Sequence, residues 1–346
     1  MIRVSVRPLG ELTPAELDAW RALESRAIEG NAFMSADFVL PAVRHVIHAP
    51  TASVWVASVG DRWLAAVPVE RVVASARVPF GHLRAFLCDH TYLTGPLVDR
   101  AGGQEALNAM FGWLHARRRR WGAIELLQRP GCGPVDGAIR GAMAASGCRW
   151  VEYRGWDRAT LNTSAARDYD GLWSKNQRKK RKRGLRRLEE HGPVDFVCHW
   201  SRSGYESEVD TFLELESMGW KGAEQSAMQS TPAREAFLRE VFDGFGARRA
   251  AFVTLLRIDG KPVAASVNLA SGREGYGFKL GWDIAHAAAS PGIVHEHRYV
   301  EVLGEATDRF DRVDATSDPD AFVDRIWPDR RRIVSGAVVA GRAAWL

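Results

Sequence analysis

The sequence predicts a protein of the α/β class that contains two copies of one domain. The chain has 346 residues, which is longer than a single hydrophobic core usually serves, so two domains are expected. Helical and strand-like segments alternate along it, and the order helix, hairpin, strand, helix, strand occurs twice. Contents of 46% apolar and 10% aromatic residues suffice for packed cores and exclude a disordered or fibrous chain.

Two hairpins are the clearest sign of the repeat. Residues 59–66 and 258–265 align without a gap at an offset of 258 − 59 = 199 positions. Each has an apolar run, a Gly-Asp or Asp-Gly turn and a second apolar run, which is the pattern of a tight hairpin. A period this long indicates two domains, because solenoid units have about 20 to 50 residues. The predicted domains are residues 1–165 and 193–346.

The remaining elements follow from periodicity and from helix stop signals. Helices are predicted at residues 14–28 and 104–120 in the first half and at 231–249 and 293–310 in the second. A short strand follows the later helix of each half, at residues 123–127 and 312–315.

One strand, loop and helix in the second half have the pattern of an anion site. The strand Tyr276–Asp283 leads through Ser290, Pro291 and Gly292 into an amphipathic helix from Ile293. The first N–H groups of a helix lack intrahelical partners, and the helix dipole adds positive charge at the same point. A phosphate or pyrophosphate is therefore the expected guest. An ordinary connection between a strand and a helix is the alternative.

A basic helix is predicted between the two domains, within residues 166–192. From Lys175 to Leu188, nine of fourteen residues are Lys or Arg. The segment consists mostly of good helix formers, and Gly192 and Pro193 end it. Two interpretations remain open: a solvated helix across the seam of the domains, or a docking surface for CoA phosphates, RNA or acidic lipid.

Other features place the protein in a compartment and argue against a metal. The four cysteines show neither a CxxC pair nor metal-ligand spacing, and no apolar run reaches the roughly 18 residues of a membrane span. We therefore expect a cytoplasmic protein with reduced thiols.

His295 and His297 point about 100° or more apart on a helix, so no metal site is predicted, and both should lie on the flanks of the helix.

Several stretches of the second half together resemble a known family. They are residues 174–192, 216–222, 252–283, 290–292 and 314–330. In order and spacing they resemble the GNAT acyltransferase superfamily, and more narrowly its two-domain branch of CelD/BcsL-type acetyltransferases and FemAB peptidyltransferases. The first half is similar mainly in element order. The resemblance implies tandem GNAT-like domains, each a mixed twisted sheet flanked by helices, joined by the basic helix, with a degenerate first domain.

The resemblance also implies a donor site in the second domain. The pantetheine arm of acetyl-CoA or another acyl-CoA would lie beside the strand Gly277–Trp282, with its pyrophosphate at the following helix. The implied donor-site residues are Lys279, Leu280, Gly281, Ser290, Pro291, Gly292, Ile293 and Val294. Where the family carries Arg or Gln and spaced glycines, this chain has Ala287-Ala-Ala-Ser-Pro-Gly. Both acyl-CoA and aminoacyl-tRNA therefore remain open as the donor.

Direct acyl transfer to an amine needs a positioned donor and a base, but no covalent enzyme intermediate. Glu216 and Asp314 are the candidates for the base or for a group that positions the amine. Trp220 and Lys221 are the expected substrate contacts, Trp220 at the acceptor and Lys221 at a donor phosphate.

These residues and the resemblance predict an acyl-CoA-dependent N-acyltransferase without a metal, acting on an amine of a small molecule, glycan or peptide. The alternatives are an aminoacyl-tRNA-dependent transferase, with tRNA as a partner, and a non-catalytic nucleic-acid-binding protein.

Overall fold

The computed structural model of the chain describes residues 1–47, 49, 51–164, 167–200, 205–219, 222 and 224–341, with only the backbone of residues 205 and 206. The chain forms two compact units. The first unit comprises Met1–Asp157 and the segment that begins at Arg331, and the second comprises Arg158–Arg330. The predicted basic helix lies within the second unit.

Runs of one to four strands are separated by helices along the chain. The strands are β1 (Arg3–Pro8), β2 (Ser53–Val59), β3 (Arg62–Val72), β4 (His82–Ala85), β5 (Leu97–Val98), β6 (Ala123–Pro130), β7 (Cys148–Asn162), β8 (Val194–His199), β9 (Ala251–Ile258), β10 (Lys261–Ser271), β11 (Glu274–Trp282), β12 (Arg312–Asp314) and β13 (Asp329–Ala340). The helices are α1 (Pro14–Ser25), α2 (Ala36–His45), α3 (Gly103–Ala116), α4 (Pro134–Ser146), α5 (Tyr169–Leu172), α6 (Lys175–Glu189), α7 (Tyr205–Met218), α8 (Pro232–Ala247) and α9 (Pro291–Gly304).

The first unit is built on a mixed sheet in the order β1-β2-β3-β4-β6-β13. Its β2–β3 hairpin turns at Gly60, which has a φ of 56°. Only the β4–β6 pair of this path is parallel. The last strand, β13, pairs with β6 from Ile333 onward. The second unit therefore differs from the predicted range 193–346, because it begins at Arg158 and the final strand pairs within the first unit.

The second unit repeats this plan. Its sheet runs from the end of β7 through β12, β11, β10 and β9 to β8, and the β11–β12 pair is parallel. The β9–β10 hairpin turns at Asp259 and Gly260, whose φ angles of 48° and 74° fit the turn that matches strand twist. The predicted fold class, a mixed sheet flanked by helices, is confirmed.

Helices α7 and α9 cover opposite faces of β11. A Cβ placed on Gly281 would meet the backbone of Glu216 in α7, whereas the side chain of Leu280 lies against Gly292 in α9. Successive strand residues point to opposite faces, so these two contacts assign the two helices to different sides of the sheet. Glycine at 281 lets α7 approach the strand closely.

The basic helix α6 packs tightly against the start of α9. Its first turn is closed by a capping box of Ser174 and Gln177. A Cβ at Gly184 would lie 2.7 Å from the carbonyl oxygen of Ala289 and 2.8 Å from Cγ2 of Val294. Glycine is therefore required at this contact, although it lowers helix propensity. Among the helices that the structure describes, none has the length and apolar character needed to cross a membrane.

The close contact at Gly281 predicts a stability difference between two glycines of β11. In the variant Gly281→Ala, the new methyl would lie 2.5 Å from the backbone nitrogen of Glu216, and we expect a loss of about 1 to 3 kcal/mol. Gly277→Ala is the matched control, because its nearest atoms lie 3.8 Å away. Urea unfolding measures both, and equal stabilities would show that α7 does not need this approach.

Candidate active site

A fork between two parallel strands is the central feature of the second unit. β11 and β12 pair at three positions, the last being Tyr276 with Asp314. β11 then continues for six residues to Trp282 beyond the last of these pairs. Close to this point the register of β10 against β11 shifts, with Val267 opposite Lys279 and Asn268 opposite Gly277. The shift leaves one extra residue in β11, and such a bulge bends a strand and opens a fork.

The chain beyond β12 closes the apex of the fork. Thr316 donates its hydroxyl hydrogen to the carbonyl oxygen of Gly277. The Asp314 carboxylate accepts the Thr316 N–H at 2.8 Å and lies 3.7 Å from a guanidinium nitrogen of Arg158. Asp314 is fully buried. The position of Asp314 suits a carboxylate that fixes the backbone at the closed end of the fork.

The start of α9 offers fewer donors than the sequence predicts. The N–H groups of Ile293 and Val294 both donate to the carbonyl oxygen of Ser290, at 3.0 and 3.2 Å. Pro291 has no N–H, and the Ser290 N–H donates to Ala287. Within the described residues the Gly292 N–H has no partner, but Gly292 is buried against Trp282 and Leu280. The helix dipole and the exposed Ser290, whose side chain makes no capping bond, remain available to an anion.

Two cations of the basic helix lie beside the start of α9. A cavity of about 170 Å³ adjoins the helix start, lined by Ser290, Ile293 and Val294 together with Lys180 and Arg183 of α6. Neither cation makes a hydrogen bond or an ion pair with the described residues. Positive charge from side chains and from the helix dipole therefore converges on one small space.

Glu216 lies beside the outer part of β11. It is 2% exposed, and its carboxylate accepts the N–H of Met228 at 2.8 Å. Its backbone adjoins Gly281, so the expected channel beside that glycine is occupied by α7 on this face. Gly281 lies five residues beyond Tyr276, the partner of Asp314, a span of roughly 16 Å along a strand. The structure therefore does not bring Glu216 and Asp314 together as an adjacent pair.

The other predicted site residues divide into two groups. Lys279 and Leu280 lie half-buried in the part of β11 beyond the last pair with β12. Trp220 and Lys221, the predicted substrate contacts, lie outside the described residues. Among the described residues, no group of three or more potential metal ligands occurs.

A buried polar chain beneath α9 was missed by sequence reasoning. His295 and His297 are 0% and 1% exposed, so their predicted position on the flanks of the helix is wrong. His295 pairs with the hydroxyl of Thr254 at 2.9 Å, and Thr254 pairs with Ser266 at 2.6 Å. The chain continues to Asn268, which accepts the hydroxyl hydrogen of Tyr299. Ser266 and Asn268 are two residues apart on β10, a spacing that puts both on one face.

The corresponding helix start in the first unit carries its own anion. The fully buried side chain of Asp99 accepts the N–H of Ala101 at 2.8 Å, just before α3. Arg26 and Arg62 each donate to the same carboxylate at 2.9 Å. Burial acts to raise the pKa of Asp99, but these hydrogen bonds outweigh it and hold the pKa below its usual value.

Sequence comparison assigns a family to the segment that contains the fork and the start of α9. Residues 175–321 match the family model described as "Acetyltransferase (GNAT) domain". The second unit thus contains a GNAT acetyltransferase domain, and the prediction of an acyltransferase enzyme is confirmed. No curated protein matches the chain.

Solved structures share the fold over nearly the whole chain. FemX superposes with a TM-score of 0.57 at 11% identity, over 97% of this chain and 96% of its own. The C-terminal domain of a putative lysylphosphatidylglycerol synthetase from Agrobacterium fabrum gives 0.59 at 13% identity, over 95% and 92%. A conserved protein of unknown function from Bacteroides thetaiotaomicron gives 0.55 at 12% identity, over 98% and 100%. At such low identities, the superpositions show a common fold and nothing further.

The buried His297 predicts a pH-dependent contribution to stability. Burial is the largest cause that lowers its pKa below the usual 6.5. The folded state then binds fewer protons than the unfolded state below about pH 6.5, so stability present at pH 7 is lost as the pH falls through the lowered pKa. We expect His297→Asn to reduce this acid dependence by up to about 1.4 kcal/mol per pH unit.

Urea unfolding between pH 5 and 7.5 measures the effect. The control is His191→Asn, because His191 is exposed at the end of α6. Identical pH slopes in the wild type and the His297 variant would contradict the prediction.

Proposed function

We propose that the protein is an N-acyltransferase that transfers an acyl group from acetyl-CoA or another acyl-CoA to an amine by direct attack. The observation that carries this proposal is the cationic cavity at the start of α9, the helix that packs on the outer part of β11 in the fork with β12. The fork suits the narrow pantetheine arm. The cavity, with Lys180, Arg183 and the helix dipole, suits the pyrophosphate. Within the superfamily, we assign the chain to the CelD/BcsL-like part of the two-domain branch.

The donor site that we propose differs from a cradle made mainly of backbone amides. The N–H groups of Ile293 and Val294 donate to the carbonyl oxygen of Ser290 and are not available to a ligand. These two residues therefore form a wall of the cavity, and the first turn of the helix contributes the positive end of its dipole. Side-chain cations then supply the attraction that the backbone amides of a loop with spaced glycines would supply. Lys279 and Leu280 border the pantetheine arm in this proposal, whereas Gly281 lets α7 pack closely on the strand. Pro291 and Gly292 set the position of the helix against the strand.

We assign different roles to the two carboxylates. Glu216 lies beside the outer part of β11, beyond the last pair with β12, so it is our choice for the base or for the group that holds the amine. Asp314 lies at the closed apex and supports the shape of the fork. A base acts when it reaches the proton in the productive complex, even where the free structure holds it in another bond.

The acceptor that we propose is an amine on a small molecule, glycan or peptide, contacted by Trp220 and Lys221. The first unit, residues 1–165 in the predicted division, is proposed to be degenerate as a donor site, because the Asp99 carboxylate already lies at the turn before α3. We propose a cytoplasmic location, where acyl-CoA is available. No metal takes part in this mechanism.

The second candidate function is transfer from an aminoacyl-tRNA donor. A related alternative is a non-catalytic protein that binds nucleic acid. The observation in its favour is the set of exposed cations on α6 that make no bond with the described residues. FemX shares the fold, and the FemAB resemblance implies such a donor. Binding to tRNA would be steeply salt-dependent, because each neutralised phosphate releases counterions.

Donor binding separates these candidates. We expect CoA and acetyl-CoA to stabilise the protein saturably, by about 2.7 kcal/mol at a hundredfold excess over Kd, and tRNA to have no effect at physiological salt. Arg183→Glu should weaken CoA binding about tenfold at low salt and less at high salt. Arg186→Glu is the control, because Arg186 is exposed on the same helix but does not line the cavity. Stabilisation by tRNA alone would overturn the acyl-CoA proposal.

Glu216→Gln tests the proposed base. Glutamine keeps an oxygen that accepts the Met228 N–H, so the thermal midpoint should change little, while the transfer rate falls about 10² to 10⁴-fold. The assay is release of the CoA thiol from acetyl-CoA with a panel of amine acceptors. Glu214→Gln, an exposed position on the same helix, is the control. A rate that changes only as much as in this control would remove Glu216 from the mechanism.

A further inference from the structure

A second, larger groove adjoins the donor cavity in the second unit. Its volume is about 730 Å³, within the range of sites that hold small ligands and cofactors. Two segments line it, residues 172–183 at the start of the basic helix and residues 324–330 after the fork. The sequence leaves this helix open as a docking surface for CoA phosphates, RNA or acidic lipid, but it assigns none of these residues to a particular group of a ligand.

The groove is strongly cationic. Five of its lining residues are Lys or Arg, against one carboxylate, Asp324: they are Lys179, Lys180, Arg183, Arg325 and Arg330. The side chains of Lys179, Lys180 and Arg183 form no hydrogen bond or ion pair with the described residues. Lys179 and Lys180 lie four and three positions before Arg183 on α6, so the side chain of each is a neighbour of Arg183 on the helix surface.

Other cations of the same helix are already committed to the fold. Arg178 donates to the backbone oxygen of Asp170, Arg181 pairs with Asp170 and Glu301, and Arg187 donates to the backbone oxygen of Ala288. The helix thus carries one set of cations that attaches it to the unit and another that faces the groove. Lys182 and Arg186 are also exposed on this helix but line neither cavity, so the cations at the groove are part of a larger exposed set.

Two buried indoles form the apolar part of the groove. The Trp173 N–H donates to the backbone oxygen of Ile326 at 2.7 Å, and the Trp327 N–H donates to Glu296 at 2.8 Å. Both side chains are 3% exposed, so little of either ring is accessible, and their positions are fixed. The two indoles therefore form a rigid wall of the groove, and the cations beside them suit a ligand that carries phosphate groups.

The groove and the donor cavity share Lys180 and Arg183. A single ligand whose pyrophosphate lies at Ser290 would therefore pass these two cations and enter the groove. We propose that the groove binds the nucleoside end of the donor, with Lys179 at its terminal phosphomonoester, the 3′-phosphate of CoA. This inference rests on the proposed function and extends it by assigning the second phosphate of the same donor. A phosphorylated acceptor is the competing occupant.

Titration calorimetry with CoA and dephospho-CoA, which lacks only the 3′-phosphate, tests the assignment on the full chain. We expect the wild type to bind CoA about tenfold more tightly. Lys179→Gln should weaken CoA binding about two- to fivefold and leave dephospho-CoA binding unchanged. Lys182→Gln is the matched control, because Lys182 is exposed on the same helix but lines neither cavity.

The outcomes separate this inference from the function on which it rests. Equal affinity for the two ligands in the wild type, or equal weakening of both by Lys179→Gln, would overturn the groove assignment and leave the acyl-CoA proposal intact. Pyrophosphate binding to the CoA-saturated protein, lost in Lys179→Gln, would assign the groove to a phosphorylated acceptor instead. Failure of the wild type to bind either ligand would overturn the proposed function itself.

Discussion

The close packing of α6 on the start of α9 through Gly184 is the contact on which the proposed site depends. With any larger residue at 184, the carbonyl of Ala289 and the side chain of Val294 would be displaced. The contact holds Lys180 and Arg183 at a helix terminus that already has positive potential. Bringing like charges together is unfavourable unless an anion joins them. The arrangement therefore favours an anionic ligand over an empty site, at a cost in propensity within α6.

Much of the fold follows from the sequence because its elements have local signatures. The hairpin at Asp259 and Gly260 needs residues that tolerate positive φ, and the Ser174 capping box marks the start of α6. Element order follows from such signals. The partner of β13 does not, because its pairing with β6 joins segments about two hundred residues apart. No local pattern distinguishes one sheet edge from another.

The histidines of α9 show why parts of the site escaped prediction. Considered on their own helix, His295 and His297 lie beside the predicted apolar stripe, which suggests positions on the flanks of the helix. The strand below supplies Thr254 as the partner of His295, and Ser266 in turn pairs with Thr254. His297 pairs with the backbone oxygen of Ile293 in its own helix. These hydrogen bonds lower the free-energy cost of burying the two rings. The alternating polar residues of β10 were a usable signal. Whether the N–H groups of a helix start remain free depends on its first-turn bonding, which sequence spacing does not encode.

The two units share a fold but differ in the charge at corresponding helix starts. In the first, Arg26 and Arg62 meet at the turn before α3 and are neutralised by Asp99 from the same chain. In the second, Lys180 and Arg183 meet at the start of α9, and the described residues offer no carboxylate bonded to them. A repeat that had kept two equal donor sites would show the same charge at both. The asymmetry instead makes the second unit the one that gains from an external anion, which is where the matched acetyltransferase segment lies.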